Sequence, residues 1–405
     1  MSINKTRAPS ASSKINHMSL SCLVMPVRPA TPWRLAIVAA ILGMLAACGT
    51  APPQAPTTEP PPSAVTVIEQ PKSRWVPVGW EALPGWSQDQ TVLAWPALLR
   101  SCARPAAGWE AACARALALS EPHEAAVRAW LKQHLQPYRV ETLDGAPTDG
   151  LLTAYYEPLI EARRVPDARF RVPLYRAPAD LAQRRPYWTR AQLETLPAAK
   201  SALRGLEIAY VADPLDALIL QIQGSGRLKL TEPDGQQRLV RVAFGGHNDH
   251  PYRSVGRWLV DQGAFSLEQA SWPAIKQWAR ANPRRVSEML HVNPRYVFFR
   301  EEPLPDPSVG PVGAQGVPLT PGRSIAVDRG SIPYGTPVWI ASTEPPLQPG
   351  GEPRLLQRLT VAQDTGGAIV GAVRGDFFWG WGEGAEELAG RMKQPLKMWV
   401  LWPRP

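Results

Sequence analysis

Three neighbouring segments, SIAVDRGSIPYGTPVWI (324–340), LTVAQDTGGAIVG (359–371) and AVRGDFFWGWG (372–382), set one aspartate each among glycines and β-branched or aromatic residues: Asp328, Asp364 and Asp376. They read as short strands broken by glycine turns, which points to a mainly β fold. Asp364 follows the apolar run Leu359, Val361, Ala362 and leads into Gly366 and Gly367. It is therefore predicted at a strand end where the backbone turns sharply. A carboxyl there, with Phe377, Phe378, Trp379 and Trp381 close by, has the composition of a sugar-cleaving site. One acid can supply a proton, and flat rings can pack on pyranose faces.

Upstream, LLTAYYEPLIEARR, ALILQIQGSGRLKL, RLVRVAFGG and RYVFFREE are strand-like, as is LKMWVLWP at the other end. A helical interval is expected over roughly Tyr252–Trp278, and a helical portion from Asp89 to Leu135 carries apolar residues at three-to-four spacing. No fixed-period repeat is visible, which argues against a solenoid.

The 405 residues allow two or three domains. Five of the nine net positive charges (Lys5, Arg7, Lys14, Arg28, Arg34) fall in the first 48 residues, and the remainder forms no basic run. Nucleic-acid binding is not expected on that distribution. Arg34 precedes LAIVAAILGMLAA, a run too short to span a bilayer comfortably but suited to a signal peptide. Residues 1–47 read as the signal region, with a start at Met18 or Met25 an open alternative. Leu45-Ala46-Ala47-Cys48 resembles a bacterial lipobox, which makes Cys48 the expected lipidation site. Residues 48–74 follow as a Pro/Thr-rich tether. With Cys22 and Cys48 in this leader, Cys102 and Cys113 remain as an expected disulfide in an exported body, worth roughly 2–3 kcal/mol for so short a loop.

LTAYYEPL (152–159), LQIQGSGRLKL (220–230), NDHPYRSVGR (248–257), NPRYVFFRE (293–301), GVPLTPGRSIAVDRGSIPYGTPVW (316–339) and the block from Ala362 to Pro395 together resemble the membrane-bound lytic murein transglycosylase A family. The last block also resembles the wider "3D" domain. The resemblance implies a double-psi β-barrel, expected from 75–158 plus 298–405, with a smaller β domain inserted over 159–297 and a glycan groove between them. It implies a lipoprotein facing the periplasm from the outer membrane, which cleaves the MurNAc–GlcNAc β-1,4 bond without water. The muramyl 6-hydroxyl attacks its own anomeric carbon, leaving a 1,6-anhydro end. By motif the catalytic aspartate falls on Asp364. A single carboxyl can act as acid and then base because the nucleophile belongs to the sugar, and attack within one sugar gains effective molarity. Peptidoglycan strands and outer-membrane lipid are the implied partners, with room for contacts to other cell-wall enzymes. No cofactor is implied.

Asp328 and Asp376 are supporting acids, read as shaping or orienting groups ahead of direct chemistry. Thr153 and Tyr155 divide evenly between strand filling and sugar binding, and Glu157 reads as a solvated turn acid. Gln221 and Gln223 are expected on one strand face, where with Gly224, Ser225 and Gly226 they line the groove. Gly366, Gly367 and Trp379 complete the expected sugar-binding set. His247 and His250 invite a metal reading, but nothing near them has ligand spacing, and no metal is expected. Asp249 stands where the family tends to have glycine, and Ile219 and Tyr334 where it tends to have Phe and Leu; Asp249 could alter its turn. Two other functions stay open: a two-carboxylate hydrolase of peptidoglycan or another β-glycan, and a non-catalytic wall-binding lipoprotein.

Overall fold

The computed structural model describes residues 66–145, 149–267, 269–346 and 351–404. The expected signal region, Cys48 and most of the tether lie outside them. Among the described residues no helix is long and apolar enough to cross a membrane.

The chain starts one sheet, leaves it to build a second, and returns. Strands β1 (Ile68–Glu69), β2 (Arg74–Pro77), β3 (Leu135–Glu141) and β4 (Gly150–Glu157) belong to the first. The second contains β5 (Leu159–Arg163), β6 (Val172–Tyr175), β7 (Glu207–Val211), β8 (Ser225–Thr231), β9 (Gln237–His247) and β10 (Val297–Pro303). Strands β11 (Ser324–Val327), β12 (Pro337–Glu344), β13 (Arg354–Asp364), β14 (Arg374–Trp381) and β15 (Lys393–Pro403) complete the first. The chain changes sheet at Pro158, between β4 and β5. Before the return, β10 pairs with β9, so residues 298–303, assigned in sequence to the barrel, hydrogen-bond into the second sheet instead.

Six strands of the first sheet close into a ring, in the order β4–β15–β12–β13–β11–β14 and back to β4. Closure leaves these strands no free edge. Leu396, Met398 and Val400 alternate along β15 and pack with Val338, Ile340, Ala362 and Phe377 inside the ring. The intervening Trp399 and Leu401 join Trp339, Leu359 and Val361 under the helices α1 (Trp95–Ser101), α2 (Glu110–Leu117) and α3 (Glu124–His134). Both faces of these strands are buried, which is why the sequence runs apolar without a break there. Cys102 and Cys113 are disulfide-bonded across the α1–α2 turn, with 5.3 Å between Cα atoms.

The second sheet carries α4 (Arg190–Thr195), α5 (Pro197–Leu203), α6 (Pro214–Gln223), α7 (Val255–Asp261), α8 (Trp272–Ala281) and α9 (Val286–His291), while α10 (Glu383–Arg391) lies between β14 and β15. Helix α6 corrects the expected strand over ALILQIQ. Asp213 caps it, its Oδ1 accepting from the Leu215 amide at 2.8 Å, Pro214 opens it, and Gly224 closes it at φ 80°.

Candidate active site

Strand register brings the acids together. Asp364 at the end of β13 pairs with Ala326 of β11, Ala326 with Asp376 of β14, and Asp376 with Thr153 of β4. At about 4.8 Å per strand, the Asp364 and Asp376 backbones lie about 10 Å apart on one rung. Thr153 and Tyr155, two apart on β4, point to the same face. Thr153 reaches Asp376, its hydroxyl donating to Oδ1, and Tyr155 reaches Asp364, its phenol donating to Oδ2 at 2.9 Å.

The second oxygen of Asp364 accepts the Ala314 amide at 2.9 Å. That amide comes from the loop GPVGAQG (310–316), which presses on β13 because Gly313 has no side chain: a Cβ there would lie 2.5 Å from the Gln363 carbonyl oxygen. The loop is held at the next residue too, where the Gln315 amide donates to that carbonyl at 3.0 Å. Below, Thr365 Oγ1 donates to the Val327 carbonyl at 2.8 Å and fixes the turn.

Asp364 keeps an open edge, yet surrounding protein strips most of its hydration, and burial pushes its carboxyl above the usual range. The Ala314 amide, the Tyr155 phenol and the Thr365 amide pull the other way without cancelling it. Asp376 is pushed up to about 6, again by burial, against the Thr153 hydroxyl and the Arg374 guanidinium and with the charge of Asp364 adding to the rise. Tyr155 is pushed well above an ordinary phenol by burial and by both acids, so it stays a neutral donor. Its ring leans on Phe378 at 5.1 Å between centroids.

Asp328 sits apart from this pair. It is buried, bridged by Lys72 at 2.8 Å, and accepts the amides of Gly330 at 3.0 Å and Gly371 at 2.9 Å. Burial alone would raise its carboxyl, but these partners outweigh it and hold it below the usual range. That is the arrangement of a strut between turns.

Several expected sugar contacts are committed elsewhere. The Thr153 hydroxyl gives its proton to Asp376 and accepts from Arg374 Nη2 at 2.8 Å. Gln221 and Gln223 do not share a strand face, since both lie on α6. Gln221 is buried with its Oε1 held by Arg190, and Gln223 Oε1 accepts the Tyr156 amide at 3.0 Å. Gly224 ends the helix, Ser225 opens β8, and Gly226 makes room for Leu220, whose Cδ2 would lie 2.0 Å from a Cβ there. Trp379 falls on the face of β14 opposite Asp376, against Phe377 at 4.8 Å. Trp381 is covered by the Arg227 guanidinium at 3.8 Å. Gly366 and Gly367 are exposed beside Asp364.

Glu157 is fully buried rather than solvated, taking Nε of Arg227 at 2.7 Å and Nε of Arg241 at 2.5 Å. These arginines also donate to the carbonyls of Pro307 and Val309, so the triad clasps the outgoing and returning connections between the sheets. His250 Nε2 lies 2.8 Å from the Tyr187 carbonyl, and His247 Nδ1 accepts the Asp249 amide at 3.0 Å. Asp249 keeps a left-handed turn at φ 63°, a conformation that aspartate tolerates better than most side chains. Ala314 and Arg374 escaped the sequence reading. The glycines at 310, 313 and 316 were the available signal for the first, and the Arg-Gly-Asp run at 374–376 for the second.

A family model described as the MltA specific insert domain matches residues 151–300, and one described as the 3D domain matches residues 323–402. A membrane-bound lytic murein transglycosylase A of Vibrio cholerae is 35% identical over 256 residues, 62% of this chain and 65% of that protein. The Escherichia coli K12 protein of the same name is 32% identical over 293 residues, 69% of this chain and 75% of that one. Among solved structures, the lytic transglycosylase LtgG of Burkholderia pseudomallei is 45% identical, covers 84% of this chain and 97% of its own, and superposes with a TM-score of 0.57. MltA from Neisseria gonorrhoeae, at 32% identity and the same coverages, gives 0.69. Escherichia coli MltA with bound chitohexaose gives 0.59 at 28% identity, over 84% of this chain and 94% of its own. With two-thirds of a relative's length matched above 30% identity, and with its barrel and insert in the order the family models describe, this chain belongs to the membrane-bound lytic murein transglycosylase A family.

Proposed function

We propose that this chain cleaves the β-1,4 bond between MurNAc and GlcNAc of peptidoglycan by lytic transglycosylation, with Asp364 as the sole acid and base. The observation that carries the reading is the cradle of Asp364: a carboxyl raised by burial, its plane fixed by the Tyr155 phenol on one oxygen and the Ala314 amide on the other. Three donors on about four lone-pair sites leave one direction free for the proton that moves. Protonated Asp364 gives that proton to the glycosidic oxygen as the bond to the anomeric carbon breaks. The resulting carboxylate takes the proton of the muramyl 6-hydroxyl as its oxygen closes on the same carbon. The acid is regenerated and no water is consumed. Binding of glycan strands is supported by the chitohexaose held by the Escherichia coli relative. The lipobox at Cys48 and the proline-rich segment after it support a lipid-anchored enzyme of the outer membrane facing the periplasm.

Digestion of purified sacculi, with mass spectrometry of released muropeptides, tests the reaction. Asp364→Asn should lower turnover by roughly 10²–10⁴-fold while the protein still binds sacculi. Undiminished release by that variant would end the proposal. One observation favours a second reading, ordinary hydrolysis: Asp376, two strands away and pushed up to about 6, has the pKa of a serviceable base. Its products would carry reducing ends, heavier by one water than anhydro ends.

A further inference from the structure

Across from the glycine turn that follows Asp364, the segment between α9 and β10 presents the guanidinium of Arg295. A Cβ added at Gly367 would lie 3.9 Å from Nη1 of Arg295 and 4.0 Å from its Cζ and Nη2. The side chain is half-buried, and among the described residues its direct hydrogen bond runs from Nη1 to the His250 carbonyl at 3.3 Å. Among the described residues no carboxylate comes within 4.0 Å of it. The charge of Asp249 acts on it, but that acid pairs with Arg185 at 3.9 Å and His247 at 3.7 Å.

The backbone carrying this side chain is firmly pinned. The buried Asn293 accepts the Arg295 amide at 3.2 Å and the Arg253 amide at 3.2 Å. The buried Asn248 donates to the Pro294 carbonyl at 2.8 Å and accepts the Tyr296 amide at 2.8 Å. The buried Arg190 donates to the carbonyl of Arg295 itself at 3.0 Å. Three polar side chains with almost no solvent contact thus aim one cation at the turn. A guanidinium that has lost part of its hydration and, among the described residues, meets a carbonyl but no carboxylate is poised for an anion, and its planar fork fits a carboxylate. Gly366 and Gly367, having no side chains, leave that approach open.

We propose that Arg295 is a carboxylate-binding subsite beside Asp364, which makes the groove select acidic muramyl glycan over neutral N-acetylglucosamine polymer. The inference rests on the glycan-cleaving reading of the same groove and adds the charge of the ligand to it. Two sources offer this chemistry on a muramyl residue. One is the lactyl carboxylate, free only when no peptide is attached, and the other is the set of carboxylates on an attached stem peptide.

The test is calorimetric binding by the full chain carrying Asp364→Asn, which holds substrate uncleaved. Three probes separate the sources: an N-acetylglucosamine hexamer, a peptide-free GlcNAc–MurNAc oligomer, and the same oligomer bearing stem peptides. Adding Arg295→Gln should weaken a carboxylate-bearing oligomer by roughly ten- to a hundredfold and leave the neutral hexamer within about twofold. Loss on the peptide-free oligomer alone identifies the lactyl group, and loss on the peptide-bearing one identifies the peptide. The difference should shrink at high salt, and Arg295→Lys should recover part of it. Equal loss on the neutral hexamer, no loss on either acidic oligomer, or a lysine variant as weak as the glutamine one overturns the inference. If Arg295→Gln does not fold by circular dichroism, the lysine variant decides by its ratio of acidic to neutral binding. Digestion of sacculi by the unsubstituted chain is scored separately, so absence of cleavage with intact charge selection would fail the reaction and spare the subsite.

Discussion

Tyr155 and Ala314 hold opposite oxygens of Asp364, and only one of them can be removed by substitution. Tyr155→Phe takes away a donor that favours the ionised carboxylate, so the Asp364 pKa should rise further. Turnover requires the protonated acid, and therefore the alkaline limb of the pH–rate profile should move to higher pH, with the plateau falling roughly tenfold as the carboxyl loses its alignment. An unshifted limb would show that the phenol does not act on Asp364. Asp376 gives a stability prediction of definite sign. Its folded carboxyl keeps a proton up to about 6, while an unfolded one releases it near the ordinary 3.8. The favourable contribution is therefore full below about 4 and lost as pH rises through about 6. Asp376→Asn cannot ionise, so denaturation should find it gaining on the parent between pH 4 and pH 8, by at most about 3 kcal/mol and less for residual solvent screening.

Gly313 shows how an element is placed by an absent side chain. Gly313→Ala would set a methyl 2.5 Å from the Gln363 carbonyl and 2.6 Å from Leu319 Cδ2. Backbone cannot yield as a side-chain tip can, so a cost of about 1–3 kcal/mol is expected in denaturant melts, together with lost turnover as the Ala314 amide leaves Asp364. Normal activity with normal stability would contradict this packing account. Comparing elements also shows what could be read from sequence. Strands such as LKMWVLWP and the TPVWI end of SIAVDRGSIPYGTPVWI are readable because both their faces are buried, and the Asp364 turn because its glycines announce it. Over ALILQIQ the alternating glutamines suggest a strand, but Asp213, Pro214 and Gly224 supply a complete helix start and stop, and the helix forms. The bond from Tyr155 to Asp364 joins residues 209 apart in sequence, and no local pattern encodes such a pairing. Glu157 went wrong for the same reason, since both of its arginines come from the other sheet.

Between the sheets, the molecule depends on that one buried carboxylate more than on any surface ion pair. Glu157→Gln would strand two guanidiniums, each nearly sealed from solvent, and should cost about 3–5 kcal/mol in chemical denaturation. A change below 1 kcal/mol would mean that the carbonyls of Pro307 and Val309 suffice. The ring has a further consequence. Strand β15 pairs with β3, β12 and β4, so a partner of the early strands β3 and β4 is supplied by residues 393–403. A growing polypeptide can collapse locally but cannot commit to this architecture until that keystone has emerged. Pairing between strands so far apart in sequence is slow, so the ring is the last part of this architecture to set.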